Sequence, residues 1–239
     1  MPSDRLLRIL TKLQDGTDNT EVVPERLCEV SSSLAGTTGA GIMVMSDNYQ
    51  HGAVCHSNAV SALIDDLQFS LGEGPGLDAY FRTRPILEPD LIAPKTIRWS
   101  AFTRSAVAAG ARAVFGFPLR VGDFCIGALN LYRDEPGGLD DEQHADTLVM
   151  AGVAARAVLA MQVDSALDAV EPNLEMQSKL RLVVHQASGM AASQLHIPVA
   201  DALDRLRAYA FANDRSLEDT ARDVMARRVR FDKDEEDER

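Results

Sequence analysis

Residues 179–231 constrain the fold of this chain more than any other stretch. Apolar side chains recur there at helical spacing in three short groups, divided by clear break signals. The groups are Leu182, Val183, Met190 and Leu195; then Ala202, Leu203, Leu206, Tyr209 and Ala210; then Leu217, Ala221, Val224 and Met225. Ile197-Pro198 ends the first group, because the residue before a proline disfavours the right-handed helical region, and Pro198 suits the first turn of the second. Ser216, after Asn213-Asp214 and with Asp219 three residues on, marks a capped start for the third. Helices this short cannot each bury a stripe alone, so the spacing predicts a small three-helix bundle.

Composition bounds the rest. The chain has 239 residues, 46% hydrophobic and 25% charged, which suits one large or two modest globular domains. No apolar run is read as a membrane span, and the opening residues MPSDRLLRILTKLQD carry acids on a helical pattern rather than a signal peptide. The three cysteines, Cys28, Cys55 and Cys125, show no CxxC spacing and no pairing logic, which fits a reducing compartment. The expectation is a cytoplasmic protein without a membrane partner. A formal net charge of −12 argues against broad attraction to nucleic acid, so RNA binding would need a local basic face. Arg181, Arg205, Arg207, Arg227, Arg228 and Arg230 can form one. Residues 232–239 (DKDEEDER) read as an acidic disordered tail, either solvated or competing for that face as a nucleic-acid mimic.

The first two-thirds of the chain alternates strand and helix signals. Runs at 41–45 and 52–57 read as strands, and 113–121 and 124–132 flank Gly122-Asp123 as a hairpin. Pro118 places the first hairpin strand at an edge or a bulge. Helical patterns cover 5–13, 23–35, 59–71, 99–109 and 140–168. Hairpin strands with helices before and after imply an antiparallel sheet and an α+β class. The pattern at 140–168 carries Leu148, Val149, Gly152, Val153, Ala155, Arg156, Val158, Leu159 and Val163, a stripe too wide for one helix face. Val163, Ala166 and Val170 continue at coiled-coil spacing, and Leu6, Ile9, Leu10 and Leu13 offer a matching surface. A homodimer or an intramolecular helix pair would bury them.

Two resemblances organise these signals. Arg181, His185-Gln186-Ala187, Gly189, Ala202, Leu206-Arg207, Ala210, Leu217, Ala221 and Val224 together resemble the ANTAR domain, a three-helix RNA-binding module of bacterial transcription antitermination regulators. Ser188 stands where many members carry lysine. Leu71-Gly72-Glu73-Gly74-Pro75, Asp90-Leu91, Trp99 with Phe102, Phe117-Pro118-Leu119 and 126–132 (IGALNLY) resemble the GAF domain, a small-molecule-sensing and dimerising fold. Such proteins often have Cys where this chain has Gly76. The implied organisation is a GAF domain at 1–163 with its N-terminal helix, an ANTAR domain at 164–231 reached by a long helix, and the tail. The implied partners are paired RNA hairpins, a small molecule of unknown identity and a second copy of the chain.

The residues suggest sites of unequal strength. Arg181, His185, Arg207, Arg227 and Arg228 are the candidate RNA contacts, because phosphates need cationic donors and looped-out bases need stacking surfaces. Cations at 227–230 also suit the end of a helix, while Gln186, Ala187 and Gly189 read as helix packing. Gly72, Glu73, Gly74, Trp99 and Phe102 are the weaker candidates for a ligand pocket. The glycine-rich loop reads either as a lid or as a tight cap on the sheet, and Trp99 and Phe102 either stack on a ligand or pack. Glu88, Asp90 and Arg98 fall in a surface loop or at a pocket mouth. His51, Cys55 and His56 do not make a metal site, since strand alternation sends Cys55 and His56 to opposite faces. No catalytic set is evident: the cysteines are dispersed, unlike GAF-type sulfoxide reductases, and no receiver-like strand–Asp–strand–Lys order exists. The expectation is a non-enzymatic ligand-sensing RNA-binding regulator; the alternatives are an interaction dimer with a degenerate RNA module and a GAF-type redox enzyme.

Overall fold

A computed structural model describes residues 2–15, 23–46, 49–94, 98–167 and 177–231. The chain divides into two compact units, Met1–Pro172 and Asn173–Arg239. In the first unit the order is α1 (Pro2–Gln14), α2 (Pro24–Ala35), β1 (Gly39–Ser46), β2 (Tyr49–His56), α3 (Ala59–Leu71), α4 (Pro75–Arg82), β3 (Ile86–Glu88), α5 (Ser100–Ala108), β4 (Ala113–Val121), β5 (Phe124–Arg133) and α6 (Asp141–Leu167). The strands form one antiparallel sheet in the order β2-β1-β5-β4-β3, as the hairpin signals imply. Two short elements escape the sequence patterns: α4 starts at Pro75, ahead of Asp78, and β3 lies where a surface loop was expected. Pro118 sits beyond the reach of β3, which pairs only with Val114–Gly116, and a register shift follows at Leu119/Arg120. The missing N–H is therefore tolerated on an inner strand.

Strand alternation separates two faces. On the first, Ala40, Ile42, Cys55, Phe115, Phe117, Leu119, Leu129 and Leu131 pack beneath α1, α2 and α6. On the second, Met43, Val114, Ala128 and Tyr132 meet α3, α4 and α5. Ile9 and Leu13 of α1 are buried in the first core, whereas Leu10 of the expected surface is 40% exposed. Arg5 and Arg8 reach across to Asp146 of α6, at 2.5 Å each.

α6 corrects the expected stripe. Its buried apolar residues are Met150, Ala151, Ala154, Ala155 and Val158, while Leu148 and Leu159 are exposed. The alanines let the helix lie close on β4, while Leu148 and Leu159 turn outward. The absence of a span-like run also needs correction: among the described residues, Asp141–Met161 is long and apolar enough to cross a membrane by length and composition alone. Its apolarity is accounted for by core packing on one side. The expected boundary at 163/164 lies inside this helix. The side chains of Val163 and Ala166, residue Val170 and the tail at 232–239 lie outside the described residues.

The second unit holds α7 (Gln177–Leu195), α8 (Val199–Ala212) and α9 (Leu217–Met225). The breaks fall where the sequence places them: Pro198 precedes α8, and the Ser216 hydroxyl accepts the Asp219 N–H at 3.0 Å to start α9. Ala202, Leu203, Leu206, Ala210, Leu217, Ala221 and Val224 are buried as expected. α7 differs. It buries Val184, Ala187, Ser188, Ala191 and Ala192, and leaves Leu182 56% exposed. α7 packs on both α8 and α9, and small residues permit that double approach.

The cysteine reading is overturned. Cys28 on α2 and Cys55 on β2 form a disulfide, with Cα atoms 6.1 Å apart, and both are buried in the first core. Pairing required the tertiary placement of α2 over β2, which spacing along the chain does not carry. Cys125 is free and half-buried, and burial pushes its thiol pKa up. Because the link spans 27 residues, its loss should lower stability by about 3 kcal/mol through the unfolded chain. Urea denaturation of Cys28→Ala/Cys55→Ala, and of the unaltered chain with and without dithiothreitol, reads this. An identical midpoint with and without reductant would show that the thiols are not joined in solution.

Candidate functional site

The second face of the sheet carries a buried polar cluster. Alternation along β5 puts Asn130 between Ala128 and Tyr132, pointing at α3. Its Nδ2 donates to Asp65 Oδ1 at 2.7 Å, and His56 Nε2 lies 2.9 Å from Asp65 Oδ2. Gln68, one turn along α3, donates to Asp65 Oδ1 at 3.4 Å and accepts the Gly76 N–H at 2.7 Å. Asp65 and Gln68 are fully buried and Asn130 is 4% exposed. Glycines make the room. A side chain at Gly76 would meet Asn130 Oδ1, and one at Gly116 would meet the carbonyl of Pro75, each at 2.2 Å. Asn130 Oδ1 is buried without a hydrogen bond. Asp65, Gln68 and Asn130 are not among the site candidates that the sequence offers. The signal available was three polar residues within reach of an apolar sheet face.

The five candidate pocket residues are gathered at one place, and each has a structural occupation there. Gly72 closes α3 in the left-handed region (φ 68°), and Gly74, at φ 145°, turns the chain into α4. Glu73 Oε1 accepts the backbone N–H groups of Ala101 and Phe102 at 2.9 and 2.8 Å, so it caps α5. Trp99, itself left-handed at φ 52°, meets the ring of Phe102 edge-on at 6.0 Å. Phe102 is fully buried, and both rings belong to the core under α3 and α5. The Arg98 guanidinium lies 5.0 Å over the Trp99 ring and pairs with buried Glu88 at 3.6 Å. Asp90, held by the Ile92 N–H and then by Arg112, has its carboxyl pKa lowered. Of the His51, Cys55 and His56 set, Cys55 is in the disulfide, His56 is on Asp65, and the His51 side chain lies outside the described residues.

In the second unit the candidate RNA contacts separate by burial. Arg181 is 3% exposed, and the Arg207 side chain is 16% exposed and paired with Asp204 at 2.9 Å. Burial lowers the Arg207 pKa. His185 is half-buried. Of the residues read as packing, Ala187 is buried, while Gln186 and Gly189 are exposed. Arg227 and Arg228 are exposed, but Arg228 bonds Asp223 at 2.6 Å. Arg215 and Arg228 together hold the Asp223 carboxyl below its usual range. Arg227 instead lines an open groove of about 340 Å³ with Met190, Ser193, Gln194 and Arg230.

Asp65 is the acceptor shared by three side chains in the first unit, so Asp65→Ala should destabilise it by about 3 kcal/mol, the cost of leaving buried donors unpaired. Thermal and urea midpoints measure the loss. A change below about 0.5 kcal/mol would place the cluster in contact with water instead.

No protein-family model matches the chain, and no curated protein matches it. Solved structures do. The GAF domain of a phosphoenolpyruvate-protein phosphotransferase from Coxiella burnetii is similar at 15% identity over 69% of this chain and 96% of that one, with a TM-score of 0.53. The GAF domain of the Acinetobacter phosphoenolpyruvate-protein phosphotransferase is similar at 11% identity over 70% of this chain and 98% of that one, with a TM-score of 0.50. At these identities the likeness concerns fold alone: the five-stranded antiparallel sheet and its helices match GAF domains.

Proposed function

We propose that the chain is an RNA-binding regulator of transcription antitermination, with a sensing and dimerising GAF unit and an ANTAR-type unit that binds RNA hairpins. The observation that carries the reading is that the segment bearing the ANTAR-like residues folds as a compact three-helix unit of its own, following in the chain a unit with the GAF fold. Its helix breaks fall at Pro198 and Ser216, and its exposed surface carries Arg227, Arg228 and Arg230. The net charge of −12 confines RNA attraction to such a local face. An RNA partner implies a cytoplasmic protein, and no catalytic role is assigned. A small molecule bound by the first unit would act by favouring one arrangement of α6, the last described helix of that unit.

Dimerisation is supported by the outer surfaces of α1 and α6, which expose Leu7, Leu10, Leu148 and Leu159. Sedimentation of Leu7→Asp/Leu159→Asp should give monomers where the unaltered chain gives dimers; persistent dimers would place the interface elsewhere.

RNA binding is tested by enriching stem-loops from a random-loop RNA library on the full chain and measuring fluorescence anisotropy. The expected outcome is specific stem-loop binding that weakens steeply with salt. Failure to enrich any stem-loop would reject the reading. Arg181→Ala, at a buried position, should lower the stability of the second unit by about 2 kcal/mol and weaken binding with it. Full stability with reduced binding would instead identify Arg181 as a direct contact.

A further inference from the structure

The structure assigns the groove between α7 and the segment after α9 as the seat of one unpaired nucleotide of an RNA loop. This rests on the RNA-binding reading above and goes beyond it in naming the site and the mode of recognition. Met190, Ser193 and Gln194 form one wall, and Arg227 and Arg230 the other.

The second wall is built by the fold rather than left as a loose end. α9 stops at Met225, and the chain reverses through Arg227 in the left-handed region, at φ 58°. The N–H groups of Arg228 and Val229 return to the Asp223 carbonyl, at 2.8 and 3.3 Å. The Phe231 N–H then bonds Gln194 Oε1 at 3.0 Å, and the Phe231 ring meets Tyr209 edge-on at 5.5 Å. This reversal sorts three nearby arginines. Arg228 is taken by Asp223, while Arg227 and Arg230 both turn to the groove.

The lining suits a nucleotide by its chemistry. Two guanidinium groups, with no acidic residue among the described residues that line the groove, match a phosphodiester, which planar forked donors hold in a fixed geometry. Met190 offers an apolar, polarisable bed for a base face. The Ser193 hydroxyl and the Gln194 amide supply donors and an acceptor for a base edge. A volume of about 340 Å³ falls at the small end of ligand sites. Paired RNA keeps its base edges stacked and inaccessible to such a groove, whereas a loop base can be splayed into it.

The experiment uses the full chain and a fluorescein-labelled stem-loop enriched from a random-loop library, titrated across a salt series. Arg227→Ala/Arg230→Ala should weaken binding on the order of 10- to 100-fold and flatten the slope of log K against log salt by about 1.5, with the thermal midpoint unchanged because both side chains are exposed. Arg227→Lys/Arg230→Lys should keep the slope and lose part of the affinity, since lysine keeps charge without the fork. Arg84→Ala/Arg104→Ala, which removes two exposed arginines from the first unit, should stay within about twofold of the unaltered chain. If the unaltered chain enriches no stem-loop, both readings fall. If it binds and the groove variant matches it in affinity and slope, the groove assignment alone falls. An equal loss in the Arg84/Arg104 variant would reduce the effect to net charge and also overturn the groove.

Discussion

The carboxylate of Asp65 has no exposure to solvent, and the second face of the sheet is arranged to satisfy it. His56 comes from β2, Asn130 from β5 and Gln68 from the next turn of α3, so three elements are fixed by one acceptor. Gln68 then holds the Gly76 N–H, which seats the start of α4 on the sheet. A buried charge is costly unless every lone pair finds a donor, so this face tolerates little slippage in register. The glycine-rich turn follows from the same constraint. Gly76 and Gly116 lack side chains because Asn130 and the Pro75 carbonyl occupy that space, and Glu73 is left to cap α5.

The first face works by the opposite means. It is apolar throughout, covered by α1, α2 and α6, and crossed by the Cys28–Cys55 link. α6 contributes small residues to this core and keeps Leu148 and Leu159 outside. The exposed leucines give α6 an apolar outer side as well as a buried one.

In the second unit, close packing decides which cations are available. α7 meets α8 and α9 through Ala187, Ser188, Ala191 and Ala192, and this intimacy draws Arg181 into the interior. The reversal after α9 divides Arg227, Arg228 and Arg230 between Asp223 and the groove. Charge alone would have ranked Arg181 and Arg207 with Arg227; burial separates them.

Much of this was legible in the residues themselves. Helix breaks at Pro198 and Ser216, the hairpin at Gly122-Asp123 and the opposite facing of Cys55 and His56 follow from local geometry, because proline, capping groups and strand alternation act within a few residues. What periodicity could not decide was which side of an apolar helix is buried, since α6 and α7 carry apolar residues around much of their surface and their partners lie far off in sequence. The same distance hid the Cys28–Cys55 pair, the Asp65 cluster and the Glu73 cap of α5. The sequence by itself determined the order of the elements other than α4 and β3, the class of sheet and the two-unit plan, all properties of local chain stiffness and pattern. Only the tertiary structure decided which polar groups meet and which arginines stay exposed, because those depend on contacts between elements whose positions no local preference encodes.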